Sequence, residues 1–138
     1  MTEVNKKKMY VEVPIKVQAY DTDYMQIVNN TVYARWFEDM RFAILEKYFP
    51  LKEMAKEGKS PIVSEMTIKF IKPLTIQNSP VGKAWISELG KCKWVVNSEI
   101  WDGDTLYCSS QQTGCYIDLT TKRPTRFNQE FLDCYNSL

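Results

Sequence analysis

The stretch NTVYARWFEDMRFAILEKY, residues 30–48, decides the fold. Apolar side chains recur at Val32, Tyr33, Trp36, Phe37, Met40, Ala43 and Ile44, which is helical spacing and makes one broad apolar stripe. Charged Arg35, Glu38, Asp39, Arg41 and Glu46 take much of the opposite face. Asn29 or Asn30 is a natural N-cap, and Pro50 stops the helix. A shorter helix, about residues 51–57, ends at Gly58, a residue suited to the left-handed turn after a helix.

Working outward, the flanking segments read as strands. Val11, Val13, Ile15, Val17 and Ala19 alternate on one face of a strand near residues 10–19. Pro14 cannot donate to a ladder, which puts this strand at a sheet edge. After the helices, Ile62, Met66, Ile68 and Phe70 alternate with Glu65, Thr67 and Lys69. Pro73 and Gln77-Asn78-Ser79-Pro80 end that strand. Strands near 81–88 and 92–101 join at Gly90, and Asp102-Gly103-Asp104 turns into a strand over about 105–118. Residues 127–135 read as a short terminal helix. The order is strand, long helix, then four strands in antiparallel succession. A helix of about 18 residues spans about 27 Å, which a strand of about eight residues matches. The reading is an α+β domain over residues 1–138, one antiparallel sheet wrapped along a central helix.

Composition narrows the chemistry. The chain has 138 residues, 44% of them hydrophobic, with 18 basic and 17 acidic residues. A net charge of +1 gives no electrostatic case for nucleic acid. The histidine count is zero, which removes Ser-His-Asp and Cys-His nucleophilic catalysis and histidine metal sites. Cys92, Cys108, Cys115 and Cys134 form no CxxC, so they read as reduced, core-filling thiols in a cytoplasmic protein, with no metal site and no cofactor expected. After Lys6, Lys7 and Lys8, the stretch from Met9 to Val17 is interrupted by Glu12, Pro14 and Lys16. That rules against a secretory h-region, and no window reaches the length of a membrane span.

Chemistry concentrates in the loop Tyr20-Asp21-Thr22-Asp23-Tyr24-Met25-Gln26, which runs into the long helix. Helix N-termini offer unpaired N–H groups and the positive end of a dipole, able to polarise a carbonyl. A carboxylate beside them can act as a base towards water or attack an acyl carbon itself. Asp and Thr before a helix also serve as turn formers and caps, and Asp21 in particular can simply hold the loop.

The stretch from Tyr20 to Tyr33, continuing through Trp36-Phe37-Glu38 to Arg41, resembles the signature of the hotdog-fold acyl-CoA thioesterases. It is closest to the 4-hydroxybenzoyl-CoA and long-chain acyl-CoA thioesterase branches. Ser60-Pro61-Ile62-Val63-Ser64, Phe70-Ile71-Lys72-Pro73-Leu74, Gly90-Lys91 and Tyr116-Ile117-Asp118-Leu119 follow in the expected order. The resemblance covers most of residues 10–120. Many relatives have Gly-His where this chain has Gln26-Ile27, and glycine there permits close backbone approach.

The resemblance implies a hotdog fold, five antiparallel strands around one long helix, assembled as a homodimer or homotetramer with active sites between subunits. It implies an acyl-CoA substrate, with Asp23 as catalytic carboxylate and the backbone N–H of Asn30 on the thioester carbonyl. Met25, Ile27, Val32, Tyr33 and Trp36 are candidates for an apolar acyl slot, though core packing is the more usual role for most of them, and Tyr24 is a further candidate for substrate binding. Ser60 and Ser64 are candidates from the partner subunit, and Lys72, Lys91 and Lys93 for the phosphates of coenzyme A. A non-catalytic acyl-CoA-binding protein and a thioesterase for acyl carrier protein are the alternatives. Dehydratases and isomerases of this fold use a histidine, which this chain lacks.

Overall fold

The computed structural model describes residues 7–49 and 51–138. Lys6 of the basic run and Pro50, the expected helix stop, lie outside them. The elements run β1 (Lys8–Pro14), α1 (Asn30–Tyr48), α2 (Leu51–Lys56), β2 (Lys59–Phe70), β3 (Val81–Leu89), β4 (Lys93–Asp102), β5 (Thr105–Asp118) and α3 (Gln129–Ser137). The five strands form one sheet in the order β1-β3-β4-β5-β2, antiparallel throughout.

The helix begins where the sequence put it. The Asn29 side chain accepts the N–H of Thr31 at 2.9 Å, a cap worth about 1 kcal/mol. The apolar stripe is the core: Val32, Tyr33, Trp36, Phe37, Met40 and Ile44 are all buried. Arg41 departs from expectation. Its side chain is 14% exposed and turns inward to donate to Gln112 Oε1 on β5. Among the described residues no helix is long and apolar enough to cross a membrane.

β1 is shorter than the strand expected over residues 10–19. Pro14 faces Val81 at the end of its ladder. The next N–H, that of Ile15, reaches Pro80 O at 3.0 Å, and Pro80 has no N–H to return, so the ladder stops between two prolines. The chain beyond still buries Val17. β1 is an edge strand, as Pro14 required. The terminal helix starts at Gln129, because the Asn128 side chain accepts the N–H of Glu130 at 2.8 Å and caps it there. Phe127 precedes it and stacks on Tyr116, ring centroids 4.5 Å apart.

The helix does not cover the whole sheet. It packs most closely over β1, β3 and β4 and reaches β5 through Arg41 and Gln112 and the end of β2 through Tyr33 and Phe70, while β2 forms the far edge with Ile62, Val63 and Phe70 exposed. A bulge between Val63 and Glu65 bends β2 against β5. At that point Gly114 lets the Ile62 carbonyl and the Trp94 ring come in where any side chain would sit.

The core also holds polar groups. Gln112, Ser98 and Ser110 are buried. Gln112 meets Arg41 of α1, so it faces the helix. Ser110, two residues along the same strand, shares that face, and Ser98 is its cross-strand partner on β4.

Candidate active site

The loop before α1 is a closed hairpin. Asp23 N–H donates to Ile27 O at 2.9 Å, and Gln26 N–H returns to Asp23 O at 2.8 Å. Thr22 bridges to Val28 and Ile27 to Thr75, while Val28 N–H donates to Leu74 O at 2.9 Å. These bonds tie the hairpin both to itself and to the segment after β2. Gln26 sits at φ +66, the left-handed region that glycine fills without cost.

The two carboxylates of this loop have different surroundings. Asp21 is 2% exposed. It accepts the N–H of Gln18 at 2.9 Å on Oδ2 and the Arg35 guanidinium at 2.8 Å on Oδ1. Its carbonyl takes the N–H of Asn29 at 2.9 Å. Asp21 therefore fastens the loop to the helix. Asp23 is exposed. Its Oδ1 accepts the N–H of Met25 at 2.9 Å and that of Ile27 at 3.4 Å. Its Oδ2 has no partner among the described residues. The Asn30 N–H, at the first position of α1, also has none among them. One free carboxylate oxygen on the hairpin and one free donor at the start of α1 thus lie close together in the chain.

The other expected side chains divide between the ends of the molecule. Tyr24 and Met25 project from the hairpin, 94% and 63% exposed. Ile27 is half-buried. Tyr33 is core, edge-on to Trp36 and Phe70, and burial raises the pKa of its hydroxyl. Lys72 is exposed near Tyr107 at this end. Ser60 lies at the opposite end of β2, with exposed Lys91 and Lys93 at the β3–β4 turn beside that end. Ser64 is exposed on mid-β2 and donates to Thr113 O at 3.0 Å. One chain therefore gathers Asp23, Tyr24, Met25, Ile27, Asn30 and Lys72, and separates them from Ser60, Lys91 and Lys93. Burial pushes the Cys108 thiol up to about 12, which makes it inert at neutral pH.

A cavity of about 420 Å³ lies between the second half of α1 and the sheet, reaching Ser60 but not Asp23. Its one largely buried charged side chain is Arg41, 14% exposed. Burial works against that charge, and nearby Glu38 offsets this in part. The cavity and the Arg41–Gln112 bond were not read from the sequence. The available signal was Ser110 and Gln112, two apart and so on one face of β5.

A five-stranded antiparallel sheet with one long helix laid on it is the hotdog fold. The chain belongs to the thioesterase-like superfamily, whose family model matches residues 17–134. An acyl-acyl carrier protein thioesterase of Arabidopsis thaliana, ATL3, is 39% identical over 77 residues, 55% of this chain. Those residues are 40% of that protein, so this chain matches under half the length of that relative. The Bacillus subtilis protein named "Putative acyl-CoA thioesterase YneP" is 26% identical over 89% of this chain and 91% of its own. Among solved structures, the DHNA-CoA thioesterase of Staphylococcus aureus superposes with a TM-score of 0.86 at 22% identity, covering 93% of this chain and 89% of that one.

Proposed function

We propose that this protein hydrolyses an acyl thioester, carried on coenzyme A or on acyl carrier protein, with Asp23 and the N-terminus of α1 as its machinery. The observation that carries the reading is the pair of unspent groups, Asp23 Oδ2 on the hairpin and the Asn30 N–H at the start of α1. The thioester oxygen takes the Asn30 N–H, where the helix dipole favours developing negative charge. Oδ2 accepts a proton from water, and the hydroxyl adds to the acyl carbon. The C–S bond then breaks, and the thiolate recovers the proton from Asp23. In the nucleophilic form Oδ2 itself adds to the acyl carbon, the C–S bond breaks and the thiolate leaves, and water then opens the resulting anhydride, freeing the acid and Asp23 and yielding the proton that the thiolate takes up. Oδ1 is held by two backbone N–H groups in either form, which fixes the carboxylate plane. Thiolate leaves easily, so the absence of histidine costs this reaction little.

A second copy completes the site. β2 is an unpaired edge with exposed apolar side chains. Antiparallel pairing of two such edges sets the Ser60 end of one subunit beside the Phe70 end of the other. It thereby joins the hairpin groups to Ser60, Lys91 and Lys93 across the two-fold, where the lysines can meet phosphate. Paired β2 edges make the homodimer, which can assemble further to a homotetramer.

Free thiol release from a panel of acyl-CoA and acyl carrier protein thioesters tests this reading. Turnover of at least one class is expected. Stoichiometric binding of acyl-CoA with no release from any member contradicts catalysis and leaves a binding protein.

A further inference from the structure

Asp102 ends β4 at the turn into β5, where turn chemistry alone accounts for an aspartate. Its side chain is engaged elsewhere. Oδ2 accepts the Asn78 amide at 2.7 Å and the Ser79 N–H at 3.2 Å, both on the segment between β2 and β3. Asn78 passes the contact on. Its Oδ1 accepts the Thr75 N–H at 2.9 Å, and its Nδ2 also reaches the Tyr107 hydroxyl at 3.4 Å. A backbone N–H only donates and a carboxylate only accepts, so a side-chain amide, which does both, joins them.

Thr75 in turn stands against the hairpin. It bridges to Ile27, and the carbonyl of neighbouring Leu74 takes the Val28 N–H at 2.9 Å. The Ile27 N–H reaches Asp23 Oδ1 at 3.4 Å. An unbroken run of contacts through Asn78, Thr75 and Ile27 therefore connects Asp102 to the Asp23 carboxylate.

This run is the second support of the hairpin, the first being Asp21 on Arg35 of α1. The segment after β2 has no helix or strand of its own. Its start is pinned where the Ile71 and Lys72 N–H groups meet Tyr107 O, and its end where Pro80 O takes the Ile15 N–H. Between them buried Leu74 holds the segment down, and the Asn78–Asp102 bond sets how Thr75 faces the hairpin. A hydrogen bond to a carboxylate is among the stronger kinds. A shift of about 1 Å in a reacting group can cost about a hundredfold in rate.

We propose that Asp102 is a positioning residue, setting through Asn78 and Thr75 the hairpin that presents Asp23. The kinetic half of this inference rests on the thioesterase reading; the mechanical half does not.

D102A, D102N and N78A are compared with the wild-type protein at a temperature where circular dichroism shows each to be folded. On the best thioester of the panel, D102A and N78A are each expected to lower kcat about tenfold or more, with KM within about twofold. D102N keeps an oxygen that accepts the Asn78 amide and the Ser79 N–H, and is expected to hold kcat within about threefold of wild type. D102A/N78A is expected to match N78A, because the two side chains act in series. A D102A that loses stability but keeps kcat within about twofold overturns the proposal. So does a D102N as slow as D102A, or a double variant whose losses multiply. Independently of turnover, the Val28 N–H is expected to exchange with solvent about tenfold faster in D102A. The Thr125 N–H, bonded to Tyr116 O at the opposite end of β5, is expected to stay as it was. Unchanged exchange at Val28 contradicts the support. Faster exchange at Val28 with no thioester turned over sinks the thioesterase reading and leaves the support standing. Turnover that D102A does not slow does the reverse.

Discussion

Asp21 and Asp23 stand two residues apart on one loop, and solvent reaches only the second. The residues alone marked Asp21 as the one that can simply hold the loop, and the resemblance singled out Asp23. What separates them physically is Arg35, fourteen residues on, which reaches back to bury Asp21 in an ion pair. Arg41 escaped for the same reason. Three residues after Glu38 it reads as half of a solvent-exposed pair, while its actual partner, Gln112, is 71 positions away. Gln26 makes a prediction at this scale. Its φ of +66 stores strain that glycine lacks. Q26G is expected to stabilise the fold by roughly 0.5–1 kcal/mol, read as a rise in the midpoint of denaturant unfolding. An unchanged or lowered midpoint removes strain from the account of the hairpin.

Elements were legible wherever local chemistry sets them. The stripe from Val32 to Ile44 gave α1 with its ends, because Asn29 caps at short range. Gly103, at φ +60, gave the turn between β4 and β5. The length of β1 was misjudged, since its limit depends on Pro80, which lies across the sheet. The bulge in β2 was equally hidden, being a relation between strands. Gly114 and Gly82 test how tightly these elements close. A Cβ at Gly82 meets only the flexible end of Met40, whereas one at Gly114 meets the Ile62 carbonyl and the Trp94 ring. G114A is expected to cost about 1–3 kcal/mol, and G82A clearly less, because methionine can swing aside. Thermal unfolding of the two variants decides it. Equal losses contradict the tight packing of β2 on β5.

At the scale of the whole molecule, the antiparallel α+β architecture followed from the order of elements. The strand order did not, because it is set by pairings far apart in the chain. That order leaves β2 as an open edge carrying exposed Ile62, Val63 and Phe70, with Ile71 just beyond it. Such an edge invites a second strand. The protein is expected to sediment as a dimer or tetramer at micromolar concentration. The double variant V63K/F70K is expected to shift it towards monomer and to lower turnover with it. A wild-type monomer of full activity contradicts a site shared between subunits.

The claim beneath all of this is that one exposed carboxylate, set at the start of the long helix, performs the hydrolysis. D23N preserves the side-chain shape and can still accept hydrogen bonds from Met25 and Ile27. Thiol release by D23N, compared with wild type on the best substrate of the panel, tests the claim most directly. With fold and assembly intact, the rate is predicted to fall by about a hundredfold or more. A D23N rate within a few-fold of wild type contradicts the account.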